Sequence, residues 1–191
     1  MLAKYRFSKS ASGFSLVETL VATALLATAL VALAELFGIA ARSNAIAKNG
    51  GMTMILAQQK MEQLKGLTWG FDAAGLPLSD TQTDTAQVPA VGTGGAGLSP
   101  SPAAALQANT NGYVDYLDAT GKALGGGSSP PLNTAYIRRW SVEPLPTNPN
   151  NTLILQVLVT RRLDRGTANL GSVQRLPEES RLIGVKTRKT Q

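Results

Sequence analysis

The stretch GFSLVETLVATALLATALVALAELFGIAA, Gly13 to Ala41, decides how this chain is read. From Phe14 to Ala34 every residue is apolar or small except Glu18, the one charge in the run. At about 1.5 Å of rise per helical residue, such a run roughly covers the hydrocarbon core of a bilayer, so it predicts a membrane-spanning helix. An ionised group in hydrocarbon costs several kcal/mol unless a partner neutralises it, and Glu18 therefore asks for a functional explanation. The segment in front, MLAKYRFSKSASG, carries Lys4, Arg6 and Lys9 and ends on Gly13. Its positive charge predicts an end held on the cytoplasmic side, with a glycine abutting the apolar helix.

Gly13-Phe14-Ser15-Leu16-Val17-Glu18, behind a short basic leader and ahead of an unbroken apolar run, resembles the class III signal of type IV prepilins and type II secretion pseudopilins. The resemblance implies that residues 1–13 are a leader removed by a membrane-embedded aspartyl prepilin peptidase, which cuts after Gly13 and N-methylates Phe14. It also implies a role in assembly for Glu18, the fifth residue of the mature chain. In a filament its carboxylate would sit near the N-terminal amine of a neighbouring subunit, so that two buried charges compensate each other. The implied partners are the peptidase, other pilin or pseudopilin subunits, and inner-membrane lipid.

A competing reading uses Ala32-Leu33-Ala34, an A-x-A pattern at which an ordinary signal peptide would be cut after Ala34. The product would be a secreted or membrane-anchored binding module that never assembles. Against it, the apolar run is longer than a usual signal core, Glu18 goes unexplained, and helix-compatible residues continue past Glu35 through LFGIAARSNAIAK.

Composition narrows the chemistry. Beyond the leader and one span, the rest of the 191 residues suffices for one modest domain with a small core. The chain has no Cys and no His, which excludes disulfides, thiolate nucleophiles, cysteine or histidine zinc sites and imidazole bases. No grouping of Asp, Glu, Ser and Lys has catalytic spacing, so the expectation is a non-enzyme with no cofactor and no metal site. The net charge is +6, but Lys4, Arg6 and Lys9 lie in the leader, and a chain starting at Phe14 keeps 15 basic against 12 acidic side chains, or +3. Arg181, Lys186, Arg188 and Lys189 near the end read as a solvated strand and tail, and direct nucleic-acid binding is not expected.

After the span, Gly50-Gly51 predicts a kink or a melted turn, since each glycine costs about 1 kcal/mol relative to alanine inside a helix. The following MTMILAQQKMEQLKGL places Met54, Ala57, Met61 and Leu64 at steps of three and four, with Ile55 and Leu56 widening the stripe. Gln58, Gln59, Lys60, Glu62 and Lys65 are expected to face outward. Within it, LAQQKMEQLKGL resembles the same region of minor pilins and minor pseudopilins.

Thr68 to Thr134 is dense in Gly, Pro, Ala, Ser and Thr, and regular structure should be sparse there. Only YVDYL, residues 113–117, reads as a strand, followed by a turn at Asp118 to Lys122. Gly92-Thr93-Gly94-Gly95-Ala96-Gly97 satisfies G-x-G-x-x-G, but no buried strand leads in and no helix follows before Pro100, so it reads as linker. Asp115 and Asp118 lack the alternate-residue spacing of an EF-hand, and no calcium loop is expected. In the last third, YIRRWSVEPL and NTLILQVLVTRRL predict two antiparallel strands joined by the turn-rich Pro144 to Asn151. SRLIGVKTR predicts a third strand, after a turn-like Arg165 to Glu179.

The expected fold is α+β: a long N-terminal membrane-spanning helix with a small antiparallel sheet packed on its C-terminal half, the ladle of pilin-like proteins. Its parts are a leader (1–13), a transmembrane and filament-core helix (14–42), an amphipathic half of that helix (43–66), a Gly/Pro-rich variable loop region (67–134), and the head sheet with its basic tail (135–191). The resemblance implies a minor pilin or pseudopilin subunit. It would sit in the inner membrane with its head outside the cytoplasm, then join a type IV pilus or type II secretion pseudopilus as an initiating or tip subunit.

Overall fold

The computed structural model describes residues 13–162 and 179–188. The leader before Gly13, the expected turn from Arg165 onward up to residue 178, and Lys189 lie outside the described residues. The chain divides into two compact units, Met1–Ala45 and Ile46–Gln191. Helix α1, Leu16–Gly66, supplies all the regular structure described in the first unit. Every residue from Gly13 to Lys48 is exposed.

Gly50-Gly51 does not break α1, which corrects the expected melted turn. The Thr53 hydroxyl donates to the Gly50 carbonyl at 3.0 Å and lies 2.7 Å from the Ser180 hydroxyl. Tertiary packing of this kind outweighs a propensity deficit of about 2 kcal/mol. In the second unit the buried residues of α1 are Thr53, Leu56, Ala57, Lys60, Met61 and Leu64. Of the expected stripe, Leu56, Ala57, Met61 and Leu64 are buried as read, but Met54 and Ile55 are 42% and 61% exposed, and Lys60, expected outside, is fully buried.

The head sheet has five antiparallel strands. After the hairpin β1 (Trp69–Phe71) and β2 (Pro77–Ser79) come β3 (Val114–Leu117), β4 (Ala123–Gly126), β5 (Tyr136–Pro144), β6 (Thr152–Arg161) and β7 (Ser180–Thr187). The order across the sheet is β4-β3-β5-β6-β7, so the three strands expected at the end of the chain form as read and gain two neighbours from the Gly/Pro-rich region. Trp140, Val142, Leu153, Leu155, Val157 and Val159 meet Leu56, Ala57, Met61 and Leu64 in one core. A smaller cluster joins Val114, Tyr116 and Ile137. Consequently β5 does not alternate; Tyr136 to Val142 are all buried. On β5, Arg139 bonds the Asn109 side chain, and Ser101 exchanges hydrogen bonds with the Val142 backbone, so the 100s segment closes over the strand.

The Gly/Pro-rich region is therefore more ordered than its composition suggests, with four short strands where one was expected. Leu98, Ala105 and Leu106 are buried, and the Tyr113 hydroxyl donates to the carbonyls of Ser99 and Pro100. The Asp118 turn forms as expected: its carboxylate accepts from Thr120 and Lys122, and the Thr120 hydroxyl with these amides holds it below the usual carboxylate range. The G-x-G-x-x-G run is not linker. Gly95 and Gly97 donate backbone hydrogen bonds to Gln82 and Thr83, and a Cβ added at Gly95 would stand 2.2 Å from the Asp84 Cα.

Of the basic residues expected in a solvated strand and tail, Arg181 is exposed on β7, whereas Arg188 is packed against the β1–β2 hairpin. The Arg188 guanidinium lies 3.7 Å from the centre of the Trp69 ring and bonds the carbonyls of Gly70, Leu78 and Asn150 and the Ser79 hydroxyl. Arg181 bonds Gln156, and Lys186 reaches the carbonyl of Lys65.

Two glycines of that run test the packing. Gly95→Ala forces backbone apart and should lower head stability by about 1–3 kcal/mol. Gly92→Ala, whose Cβ meets nothing within 4 Å, should stay within about 0.5 kcal/mol of wild type. Denaturant unfolding followed by tryptophan fluorescence measures both; equal stabilities would show that the run is not packed as described.

Candidate functional site

At the start of α1, Gly13, Phe14 and Ser15 are non-helical and exposed, and the Ser15 hydroxyl accepts from the Val17 amide at 3.2 Å. That bond satisfies one of the amides left free at a helix N-terminus. Glu18 occupies the first turn, where a carboxylate complements the helix dipole. Among the described residues it has no ion-pair partner. Nothing in the chain crowds Gly13: an added Cβ would meet no atom within 4 Å. Any requirement for glycine there lies with whatever binds this segment.

The helix that follows hides its own polarity and presents its apolar side chains. Thr19, Thr23 and Thr28 turn their hydroxyls back to the carbonyls of Leu16, Leu20 and Leu25, which leaves few unsatisfied polar atoms on the surface. Phe14, Leu16, Val17, Leu20, Leu25 and Leu26 are all at least 60% exposed. The helix is long and apolar enough to cross a membrane, and it runs through Ala34 and Glu35 without a break.

Sequence reasoning missed the head's charge cluster. Asp115 on β3 stands directly opposite Arg138 on β5, and the two form a bidentate pair: Nε donates to Oδ1 at 2.9 Å and Nη2 to Oδ2 at 2.7 Å. Arg138 Nη1 donates to the Leu56 carbonyl at 3.0 Å and to Gln59 Oε1 at 3.3 Å, tying β5 to α1. Lys60 Nζ comes within 2.8 Å of the same Oδ2, donates to the Thr85 carbonyl, and lies 4.1 Å from the centre of the Trp140 ring. Burial pushes the Lys60 pKa down to about 8, against the attraction of Asp115. Asp115 is thus committed to two cations, and Asp118 is exposed in its own turn, so the two carboxylates share no site. The signal was present: Leu56, Lys60 and Leu64 are spaced by four, which places Lys60 on the buried line.

Open clefts lie among the described residues of the head. One, of about 640 Å³, is lined by Asp84, Gln87, Asn111 and the glycines Gly94, Gly95, Gly112, Gly125 and Gly126 among others; another, of about 370 Å³, lies against Trp69, Phe71 and Arg188. Among the described residues no three acidic side chains gather in a way that would hold a metal ion. No family model, curated protein or solved structure matches this chain.

The cluster makes a sharp prediction. Asp115→Asn leaves Lys60 and Arg138 as buried cations with no anion and should cost the head about 3–5 kcal/mol. Asp118→Asn removes only an exposed turn acceptor and should cost far less. Parallel denaturation of the two variants checks the difference; similar losses would remove the cluster from its central place.

Proposed function

We propose that the chain is a minor pilin or pseudopilin subunit. It is inserted in the inner membrane, cleaved after Gly13 and N-methylated at Phe14 by a prepilin peptidase, and assembled through its N-terminal helix into a type IV pilus or type II secretion pseudopilus as an initiating or tip subunit. On this reading it is not an enzyme, and its partners are other subunits and membrane lipid. The observation that carries it is the exposed carboxylate of Glu18, without an ion-pair partner among the described residues, on a helix whose other residues from Phe14 to Ala34 are apolar or small, immediately behind Gly13-Phe14. Lipid alone would cover the apolar residues and leave Glu18 uncompensated. A neighbouring subunit's N-terminal amine supplies the missing charge.

Protein purified from membranes should begin at Phe14 with a methylated amine, read by N-terminal sequencing and intact mass. A first residue of Glu35 would overturn the proposal in favour of the secreted or anchored module.

Glu18→Leu should leave membrane insertion intact or improved. The same change should weaken recovery of partner subunits by about two orders of magnitude, the scale of breaking one side of a buried ion pair. Unchanged recovery would refute the assembly role.

A further inference from the structure

Two cations share one contact carboxylate inside the head. Lys60, Asp115 and Arg138 are each no more than 1% exposed, and Lys60 and Arg138 meet on the same oxygen, Asp115 Oδ2, at 2.8 and 2.7 Å. Asp84, half-buried beside Thr85, attracts Lys60 without forming an ion pair with it, Glu62 on α1 faces solvent beside Lys65, and the buried Arg139 is bonded to Asn109. With all three groups of the cluster ionised, its contact charges sum to one net positive charge away from water, which is costly in a low-dielectric interior.

Only one member can shed that charge. The Arg138 guanidinium keeps its proton at any ordinary pH, and its fork is fully engaged by Asp115, Leu56 and Gln59. Asp115 is the acceptor that holds that fork. Lys60, as a neutral amine, still donates to the Thr85 carbonyl and stays over the Trp140 ring. We infer that Lys60 is a proton-operated latch: because it shares one buried carboxylate oxygen with Arg138 and also holds the Thr85 carbonyl, acid loosens and mild alkali tightens the joint between α1, β3 and the Thr85 segment. The latch rests on the head's geometry alone and stands or falls separately from the filament reading.

The direction follows from linkage. Burial brings Lys60 to about 8 from the ordinary 10.5, so between those values the unfolded chain holds a proton that the folded head has lost. Stability therefore climbs as pH rises through that window and sits on its lower plateau below it. The full window corresponds to about two orders of magnitude in the folding constant. Tyr113 and Tyr116, both raised by burial, act the opposite way above about pH 10, so the test belongs between pH 7 and 9.5 on the order of a unit at each end.

The full chain in nonionic detergent is unfolded with denaturant at several pH values and followed by tryptophan fluorescence, beside Lys60→Met. The wild-type folding constant should rise about tenfold or more over the range while that of Lys60→Met stays flat. In the wild type labelled with ¹³C-lysine, one side-chain resonance, absent from Lys60→Met, should titrate near 8. Parallel stability profiles overturn the inference, as does a full set of lysines titrating near 10.5. If Lys60→Met fails to fold, the titration decides alone.

Discussion

A carboxylate that water does not reach organises the head. Asp115 accepts both nitrogens of the Arg138 fork across a β3–β5 register in which the two residues stand opposite each other. The third nitrogen of that fork reaches the Leu56 carbonyl, which fixes how α1 is turned against the sheet, and Lys60 arrives one turn later on the same oxygen. Thr85 is drawn in by the Lys60 amine, and Trp140 lies beneath it. Ion groups buried in this way roughly break even in energy against apolar replacements. Their effect here is on specificity. Slipping β3 by one residue would send Asp115 to the other face of the sheet and strand two cations in the core.

This constraint explains which parts of the head were legible in the sequence. The strands β5, β6 and β7 were readable because runs such as TLILQVLVT have few alternatives to a sheet, and Pro144 to Asn151 punctuates them. The helix was readable from its steps of three and four, and Leu56, Ala57, Met61 and Leu64 are buried as read, yet Lys60 was assigned outward by its charge. Charge predicts exposure only when no partner is available inside, and the partners, Asp115 and Arg138, are 55 and 78 residues further along the chain. That pairing is a long-range fact that no local period contains.

The Gly/Pro-rich region was the least legible for a related reason. Composition reports the absence of a hydrophobic period, and this region is ordered without one. Tyr113 and Tyr116 each send a hydroxyl to a backbone carbonyl at 2.7 to 3.1 Å, and Arg188, from the far end of the chain, gathers three carbonyls and stacks on Trp69. Gly95 and Gly97 let backbone approach backbone, so order there is built from main-chain hydrogen bonds rather than from a buried side-chain face. A few polar anchors spread over distant positions leave almost no trace in a window of local sequence.

The two units of the chain pose opposite problems. The head compensates most of its buried polarity from within, down to a carboxylate shared by two cations. The N-terminal helix leaves its apolar surface and its one early carboxylate unmatched among the described residues. Lipid solves the first of those deficits, because hydrocarbon covers Leu16, Leu20, Leu25 and their neighbours at no cost in hydrogen bonds. It worsens the second, since the same hydrocarbon that suits the leucines penalises Glu18. An environment that is apolar around the helix and cationic at its first turn answers both demands. On the proposed reading that environment is a bundle of such helices whose N-termini carry free amines, whereas an isolated anchor in lipid meets only the first.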